Sequence, residues 1–209
     1  MPFILLVRHG ENNFVGKRLA GRLPGIHLNQ RGRQQAEALK EILVKAPIKA
    51  IYSSPLERAM ETAQPLADAL KLAVKPIPGL LEVDFGRWQG KTAKQMHRLK
   101  LWKTVKEQPS QMRFPEGESF AEAQHRVVAC LEEIRTIWDD KSLVACFSHS
   151  DSIRLALAYY LAMPLDAFQR IGIDTASISL LHLGNDGPAL LFMNQRTHFE
   201  WPEPHKETV

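Results

Sequence analysis

The chain has 209 residues, of which 44% are hydrophobic and 24% charged, and its formal net charge is +4. These values are typical of a globular domain, and the charge falls short of the concentrated basic stripe of a nucleic-acid binder. Two cysteines exclude a disulfide framework, and no apolar run approaches the roughly 18 residues that a membrane span needs. Because the N-terminus lacks the pattern of a signal peptide, we expect a cytoplasmic protein without nucleic-acid or membrane partners.

The first predicted strand ends in polar residues. The apolar run 3–7 has the length of a strand buried on both faces, and it is followed directly by Arg8, His9, Gly10 and Glu11. In an open α/β sheet, ligands bind beyond the carboxyl ends of such strands. Arg8 and His9 are therefore the first candidates for chemistry, although a plain polar turn explains this segment alone equally well.

Strands and helices alternate along the rest of the chain. In chain order we first predict a helix capped by Asn29 and closed by Pro47, a strand at 50–52, a helix from Pro55 to Leu70 and an edge strand at 74–77. A helix at 92–107, a helix capped by Ser119 and a strand at 142–147 follow. The last predicted elements are a helix capped by Ser150 or Asp151 and a hairpin of strands at 178–183 and 189–193. This alternation predicts an α/β fold with a mostly parallel sheet. No linker interrupts it, so we expect one domain over residues 1–200 and a poorly ordered tail at 201–209.

Polar side chains follow several strands of this predicted sheet. His9 comes after the first strand, Arg58 after the second, Glu82 after the third and His149 after the next core strand. The carboxyl ends of parallel strands share one rim, so these residues, together with Arg8, can meet in one crevice. The alternative is that each of them is satisfied separately by its own local structure.

Such a group of side chains suits phosphoryl transfer. Arginine forks match phosphate oxygens, and a histidine between cations is held neutral more easily, which makes it a nucleophile. A nearby carboxyl can protonate the leaving alkoxide and later deprotonate a water molecule. We expect no catalytic metal and no cofactor, because the H-E-x-x-H pattern is absent and the arginines would repel a cation.

An ordered set of motifs resembles that of the histidine phosphatase superfamily, the phosphoglycerate mutase-like proteins. The motifs are R-H-G-E at 8–11, a version of L-T-x-x-G-x-x-Q-A at 28–36, S-S-x-L-x-R-A-x-x-T-A at 53–63, a version of L-x-E-x-x-F-G-x-W-E-G at 81–90, G-E-S at 117–119 and F-S-H at 147–149. The resemblance implies a three-layer sandwich, with helices on both faces of the sheet.

The resemblance also implies roles for individual residues. His9 would be the phosphorylated nucleophile and Glu82 the proton donor, and Arg8, Arg58 and His149 would form the phosphate pocket. We expect further substrate contacts from Asn12, Gly21, Arg22 and Ser150. Many relatives carry Ser or Thr where Asn12 stands, an asparagine where Val15 stands and a glycine where Ser150 stands, so these contacts differ from the family pattern.

By resemblance, the function is a metal-independent phosphomonoester hydrolase that acts on a small phosphorylated metabolite. The short segment 90–117 and the F-G-x-W-x-G form of the fourth motif favour a phosphatase over a cofactor-dependent phosphoglycerate mutase. The mutase remains an alternative, as does a non-catalytic domain that binds a phosphorylated ligand. A homodimer is also compatible with the sequence.

Overall fold

A sheet of six strands forms the centre of the described part of the chain. In the computed structural model, which describes residues 2–184 and 186–196, the strands are β1 (Phe3–Arg8), β2 (Ile48–Ser53), β3 (Val74–Pro76), β4 (Leu143–Ser148), β5 (Ile178–Gly184) and β6 (Gly187–Gln195). Their order across the sheet is β3-β2-β4-β1-β5-β6. The first four strands run parallel, and β5 and β6 form an antiparallel hairpin beside β1. The predicted mostly parallel sheet, with 74–77 at its edge, is confirmed.

Helices cover both faces of the sheet. They are α1 (Gln30–Leu43), α2 (Glu57–Leu70), α3 (Ala93–Met96), α4 (Trp102–Glu107), α5 (Phe120–Ile137) and α6 (Ser150–Tyr160). The alternation of side chains along β1 shows the two layers: Ile4 and Leu6 pack into one core with α5 and α6, whereas Leu5 and Val7 pack into the other with α1 and α2. The three-layer α/β sandwich is therefore confirmed. Within the described ranges, no helix combines the length and apolarity needed to cross a membrane.

Helix boundaries follow local capping. The Asn29 side chain accepts a hydrogen bond from the Gly32 amide, and Ser119 and Glu122 form a complete capping box at the start of α5, both as predicted. The prediction for α6 was wrong, because extended backbone continues through His149, which becomes the N-cap residue without a side-chain bond.

Two other predicted boundaries need correction. The second helix begins at Glu57, not Pro55, because Leu56 still has extended backbone angles. The predicted helix 92–107 is divided into α3 and α4, since two tight turns between them bring Leu99 against the core. The tail predicted at 201–209 lies outside the described residues.

The sheet register brings the ends of the central strands together. Arg8 of β1 pairs with Ser148 of β4, and Ser53 of β2 pairs with Phe147 of the same strand. The residues that follow these strands therefore emerge along one edge, as the sequence predicted.

Candidate active site

His9 is held in one orientation by the loop after β1. Its Nδ1 lies 2.7 Å from the carbonyl oxygen of Gly10. A carbonyl can only accept, so Nδ1 carries the proton and Nε2 keeps its lone pair. The Gly10 amide donates to Oγ1 of Thr62 at 2.9 Å, and this hydroxyl donates to the Arg58 carbonyl at 2.6 Å. Helix α2 thus fixes the loop that presents His9.

Close packing of α1 against this loop requires two glycines. A Cβ at Gly10 would lie 2.7 Å from the carbonyl oxygen of Gly32, and a Cβ at Gly32 would lie 2.0 Å from the carbonyl oxygen of Glu11. Neither contact can be relieved by a side-chain movement, because both partners are backbone atoms. The glycines of the first two motifs therefore have one shared role, which is to let α1 pack against the loop that carries His9.

Two guanidinium groups lie beside His9 with donors that no described residue satisfies. Arg58 is 1% exposed, and its Nη2 donates to the Gly21 carbonyl at 2.7 Å, whereas its Nε and Nη1 have no acceptor in the described part of the chain. Arg8 donates from Nη1 to the Ile173 carbonyl at 2.6 Å, and its buried Nε likewise has none. Since a buried donor without an acceptor is costly, the arrangement suits an anion rich in acceptor oxygens.

His149 lies fully buried next to His9. The centroids of the two rings are 5.2 Å apart, and Nε2 of His149 shares a 2.7 Å hydrogen bond with Oγ of Ser54. Its Nδ1 has no partner among the described residues. Burial lowers the pKa of both histidines well below the ordinary value, and nearby Arg8 and Arg58 act in the same direction. Both imidazoles are therefore neutral at neutral pH.

Glu82 is the buried carboxyl group of the cluster. Its Oε1 accepts from the Val83 amide at 3.0 Å and from the Ser152 amide, in the first turn of α6, at 3.2 Å. Burial raises the pKa of Glu82, and the carboxylate of Asp151 raises it further, against the opposite effects of the Val83 amide and the arginines. Because both amides face Oε1, Oε2 can carry the proton.

Arg22 fixes the main chain of the segment that carries Glu82. Its Nε donates to the Glu82 carbonyl at 2.8 Å, and its Nη2 donates to Glu118 at 2.7 Å. Arg126 binds both oxygens of Glu118 at 2.9 and 3.0 Å, and its Nη1 donates to the Leu81 carbonyl at 2.9 Å. The guanidinium of Arg22 is thus occupied by protein acceptors, so the structure does not place it among the predicted substrate contacts.

A cavity of about 200 Å³ opens over this cluster. The predicted site residues that line it are Arg8, His9, Arg58, Glu82, Asn12, Gly21 and Ser150. Asn12 is buried, its Oδ1 accepts from the Phe14 amide, and its Nδ2 has no acceptor among the described residues, so it can donate to a ligand. A larger cavity of about 810 Å³ lies elsewhere, lined by residues of α1, α2 and the loop before α1, and its lining includes no predicted catalytic residue.

Several side chains of the site were not identified from the sequence. Asp151 and Arg154 line the cavity, and Ser54 and Ser152 orient His149 and Glu82. Ser54 lies within a recognised motif, but its partner could not be read from the spacing. Within residues 2–184 and 186–196, no group of three or more His, Cys, Asp or Glu side chains is arranged to hold a metal ion.

Known proteins share both the motifs and the fold. The family described as the histidine phosphatase superfamily (branch 1) matches residues 4–196. Phosphoserine phosphatase 1 of Hydrogenobacter thermophilus is 31% identical over 99% of both chains, and the 2,3-bisphosphoglycerate-dependent phosphoglycerate mutase of Thermoplasma acidophilum is 28% identical over 87% of both. The crystal structure of phosphoserine phosphatase from Entamoeba histolytica in complex with 3-phosphoglyceric acid has a TM-score of 0.83 at 27% identity, covering 93% of this chain and 98% of that one.

The family match spans most of the chain, and the Hydrogenobacter relative is similar along its whole length. The matched region contains every motif described above, including the loop of His9 and the strand before His149. The chain therefore belongs to the histidine phosphatase superfamily, as an enzyme of its phosphatase and phosphoglycerate mutase-like class.

Proposed function

We propose that the chain is a metal-independent phosphomonoester hydrolase that works through a covalent phosphohistidine on His9. The observation that supports this most is the environment of Nε2: a neutral imidazole nitrogen lies near buried arginine donors that have no acceptor among the described residues. This combination provides a nucleophile and an anion site at the same place.

In the first step, the phosphoryl oxygens accept hydrogen bonds from Arg8, Arg58, the Nδ1 of His149 and the side-chain Nδ2 of Asn12. Nε2 of His9 attacks phosphorus, and the bond from phosphorus to the ester oxygen breaks. Glu82 gives its proton to the departing alkoxide, which leaves as an alcohol. The two guanidinium groups stabilise charge on the equatorial oxygens throughout the transfer.

In the second step, Glu82 acts as a base. Its carboxylate takes a proton from a water molecule as the water oxygen attacks phosphorus, and the bond from phosphorus to Nε2 breaks. Inorganic phosphate leaves, and the cycle ends with a neutral His9 and a protonated Glu82. The cycle starts from the same two states, which are favoured by the lowered pKa of His9 and the raised pKa of Glu82.

Hydrolysis of p-nitrophenyl phosphate tests the proposal. We expect activity to persist in EDTA and to be lost in His9→Ala, whereas the exposed histidine variant His27→Ala keeps it. The wild-type enzyme should also carry acid-labile phosphate after rapid quenching, and His9→Ala should carry none. Loss of activity on chelation, or full activity in His9→Ala, would refute the mechanism.

The mutase alternative merits one assay because a relative that matches most of the chain is named a phosphoglycerate mutase. The enzyme would be given 3-phosphoglycerate with a 2,3-bisphosphoglycerate primer, and conversion to 2-phosphoglycerate would be compared with phosphate release. We expect phosphate release to dominate. O-phospho-L-serine is a first ester to include, because two of the similar proteins are named phosphoserine phosphatases.

A further inference from the structure

A second cavity adjoins the one over His9. A cavity of about 300 Å³ has Phe85, Trp88, Met96, Trp102, Phe114 and Phe120 among its lining residues, and we refer to it as the aromatic chamber. Leu19, Phe85, Asp151 and Arg154 line both this chamber and the cavity over His9. Because the same side chains bound both spaces, the two compartments adjoin each other.

The inner wall of the aromatic chamber is built from interlocked rings. Phe114 makes edge-to-face contacts with Phe85, Trp88 and Phe120 at centroid distances of 4.9, 5.3 and 5.3 Å. Trp88 and Phe114 are buried, so these rings are held in place by packing. The chamber therefore has a preformed apolar wall next to the cavity over His9.

Trp102 forms the outer wall. It lies on the short helix α4, is half-buried, and stacks on Trp88 with centroids 6.5 Å apart and planes inclined by 28°. Trp102 also lies against the His97 ring, with centroids 4.6 Å apart. A ring that enters the chamber would add aromatic contacts to the gain from burying apolar area.

The charged groups at the junction are already engaged. Arg154 donates from Nη1 to Asp151 at 2.9 Å and from Nε to the Ile171 carbonyl at 2.8 Å. Two of the three nitrogens of this guanidinium are thus held by the protein, so the carboxylate of a phosphoserine or phosphoglycerate would have to bind through Nη2 or displace one of these bonds. Lys106 also lines the chamber, but it is an exposed side chain, where a charge pair contributes little.

We propose that the aromatic chamber binds the alcohol portion of the substrate, and that the preferred esters are phosphomonoesters of alcohols with an aromatic or bulky apolar body. This inference rests on the proposed phosphatase function, because the phosphate must lie at His9 for the alcohol to reach the chamber. A space of about 300 Å³ is at the small end of ligand pockets, which suits one or two rings.

Matched alkyl esters test the inference without a difference in leaving-group reactivity. The specificity constant would be measured for three substrates, which are 3-phenylpropyl phosphate, propyl phosphate and O-phospho-L-serine. A single methylene in an apolar pocket changes this constant by about ten-fold or more, so we expect the phenyl ring to raise it by roughly 10- to 100-fold. Equal values, or a preference for O-phospho-L-serine, would overturn the inference.

Variants then locate the effect. Trp102→Ala should lower the ratio of phenylpropyl to propyl activity about ten-fold, Trp102→Phe should retain most of it, and the exposed neighbour variant Leu101→Ala should leave both rates as in the wild type. An unchanged ratio in Trp102→Ala would exclude the chamber. If propyl and p-nitrophenyl phosphates are hydrolysed but 3-phenylpropyl phosphate is not preferred over propyl phosphate, the inference fails while the proposed function stands. If no ester is hydrolysed, the proposed function itself fails.

Discussion

His9 and Glu82 have pKa values displaced in opposite directions by the same buried site. Burial disfavours the charged form of each, which is imidazolium for His9 and carboxylate for Glu82. His9 therefore stays neutral below its usual titration range, and Glu82 stays protonated above its own. Activity should fall at acid pH as His9 gains a proton, and at alkaline pH as Glu82 loses one.

The alkaline limit can be moved by a single neighbouring charge. Asp151 raises the pKa of Glu82, so Asp151→Asn should lower that pKa and shift the alkaline limb of the kcat/KM profile to lower pH. The exposed variant Asp140→Asn serves as the control and should leave the profile in place. The profile should be recorded with an alkyl phosphate, whose alkoxide needs the proton. An unmoved or raised alkaline limb in Asp151→Asn would contradict this assignment.

At the scale of secondary structure, the start of α5 connects a helix cap to Glu82, the proposed proton donor. The capping box of Ser119 and Glu122 fixes the first turn, and Glu118 lies immediately before it. There the Glu118 carboxylate accepts hydrogen bonds from Arg22 and Arg126. The same two arginines donate to the Glu82 carbonyl, Arg22 at 2.8 Å and Arg126 at 3.3 Å. The G-E-S motif thus stabilises the position of Glu82 without touching the cavity over His9.

Glu118→Gln should therefore impair the proton donor selectively. Weakening the charge-assisted bonds would loosen the segment that carries Glu82, and misplacement by about 1 Å can cost roughly 100-fold in rate. We expect kcat/KM for an alkyl phosphate to fall by about 10- to 100-fold and kcat/KM for p-nitrophenyl phosphate to fall much less, because kcat/KM reports the first step, in which nitrophenolate leaves without a proton. Glu116→Gln is a matched exposed control. Equal losses with both esters would indicate a general structural defect.

For the whole molecule, the strand order explains why so much of the site could be predicted from sequence. Arg8 and His9 lie at the end of β1, and Arg58, Glu82 and His149 follow three other strands. Parallel strands gather such residues at one edge. Periodicity and capping residues predicted most elements for a related reason, because both depend on local spacing.

The parts that were missed depend on side-chain direction, which spacing does not encode. Arg22 lies next to Gly21, which lines the cavity, yet its guanidinium turns to Glu118. Likewise, Trp88 and Trp102 are separated along the chain by α3 and the turns around it, and only the folded chain shows that they stack in one chamber.

Anion binding should stabilise the entire fold, because the buried arginine donors exist as a group only in the folded chain. A ligand at about 100 times its Kd adds about 2.7 kcal/mol to the free energy of unfolding, and for a chain of this size each kcal/mol raises Tm by about 2–4 °C. Orthovanadate or phosphate at such concentrations should thus raise Tm by about 5–10 °C in a thermal-shift measurement. Arg58→Ala should abolish most of the shift, whereas the exposed variant Arg87→Ala should retain it. A shift that persists in Arg58→Ala would place the anion elsewhere.

The hydrogen bond from Nδ1 of His9 to the Gly10 carbonyl has a chemical consequence for the intermediate. Only Nε2 is left to accept phosphorus, so the enzyme should form the tele isomer of phosphohistidine and none of the pros isomer. The two isomers differ in their nitrogen–phosphorus couplings and are distinguished by isomer-selective antibodies. In the proposed mechanism, a backbone carbonyl one residue away thereby determines which nitrogen of His9 is phosphorylated.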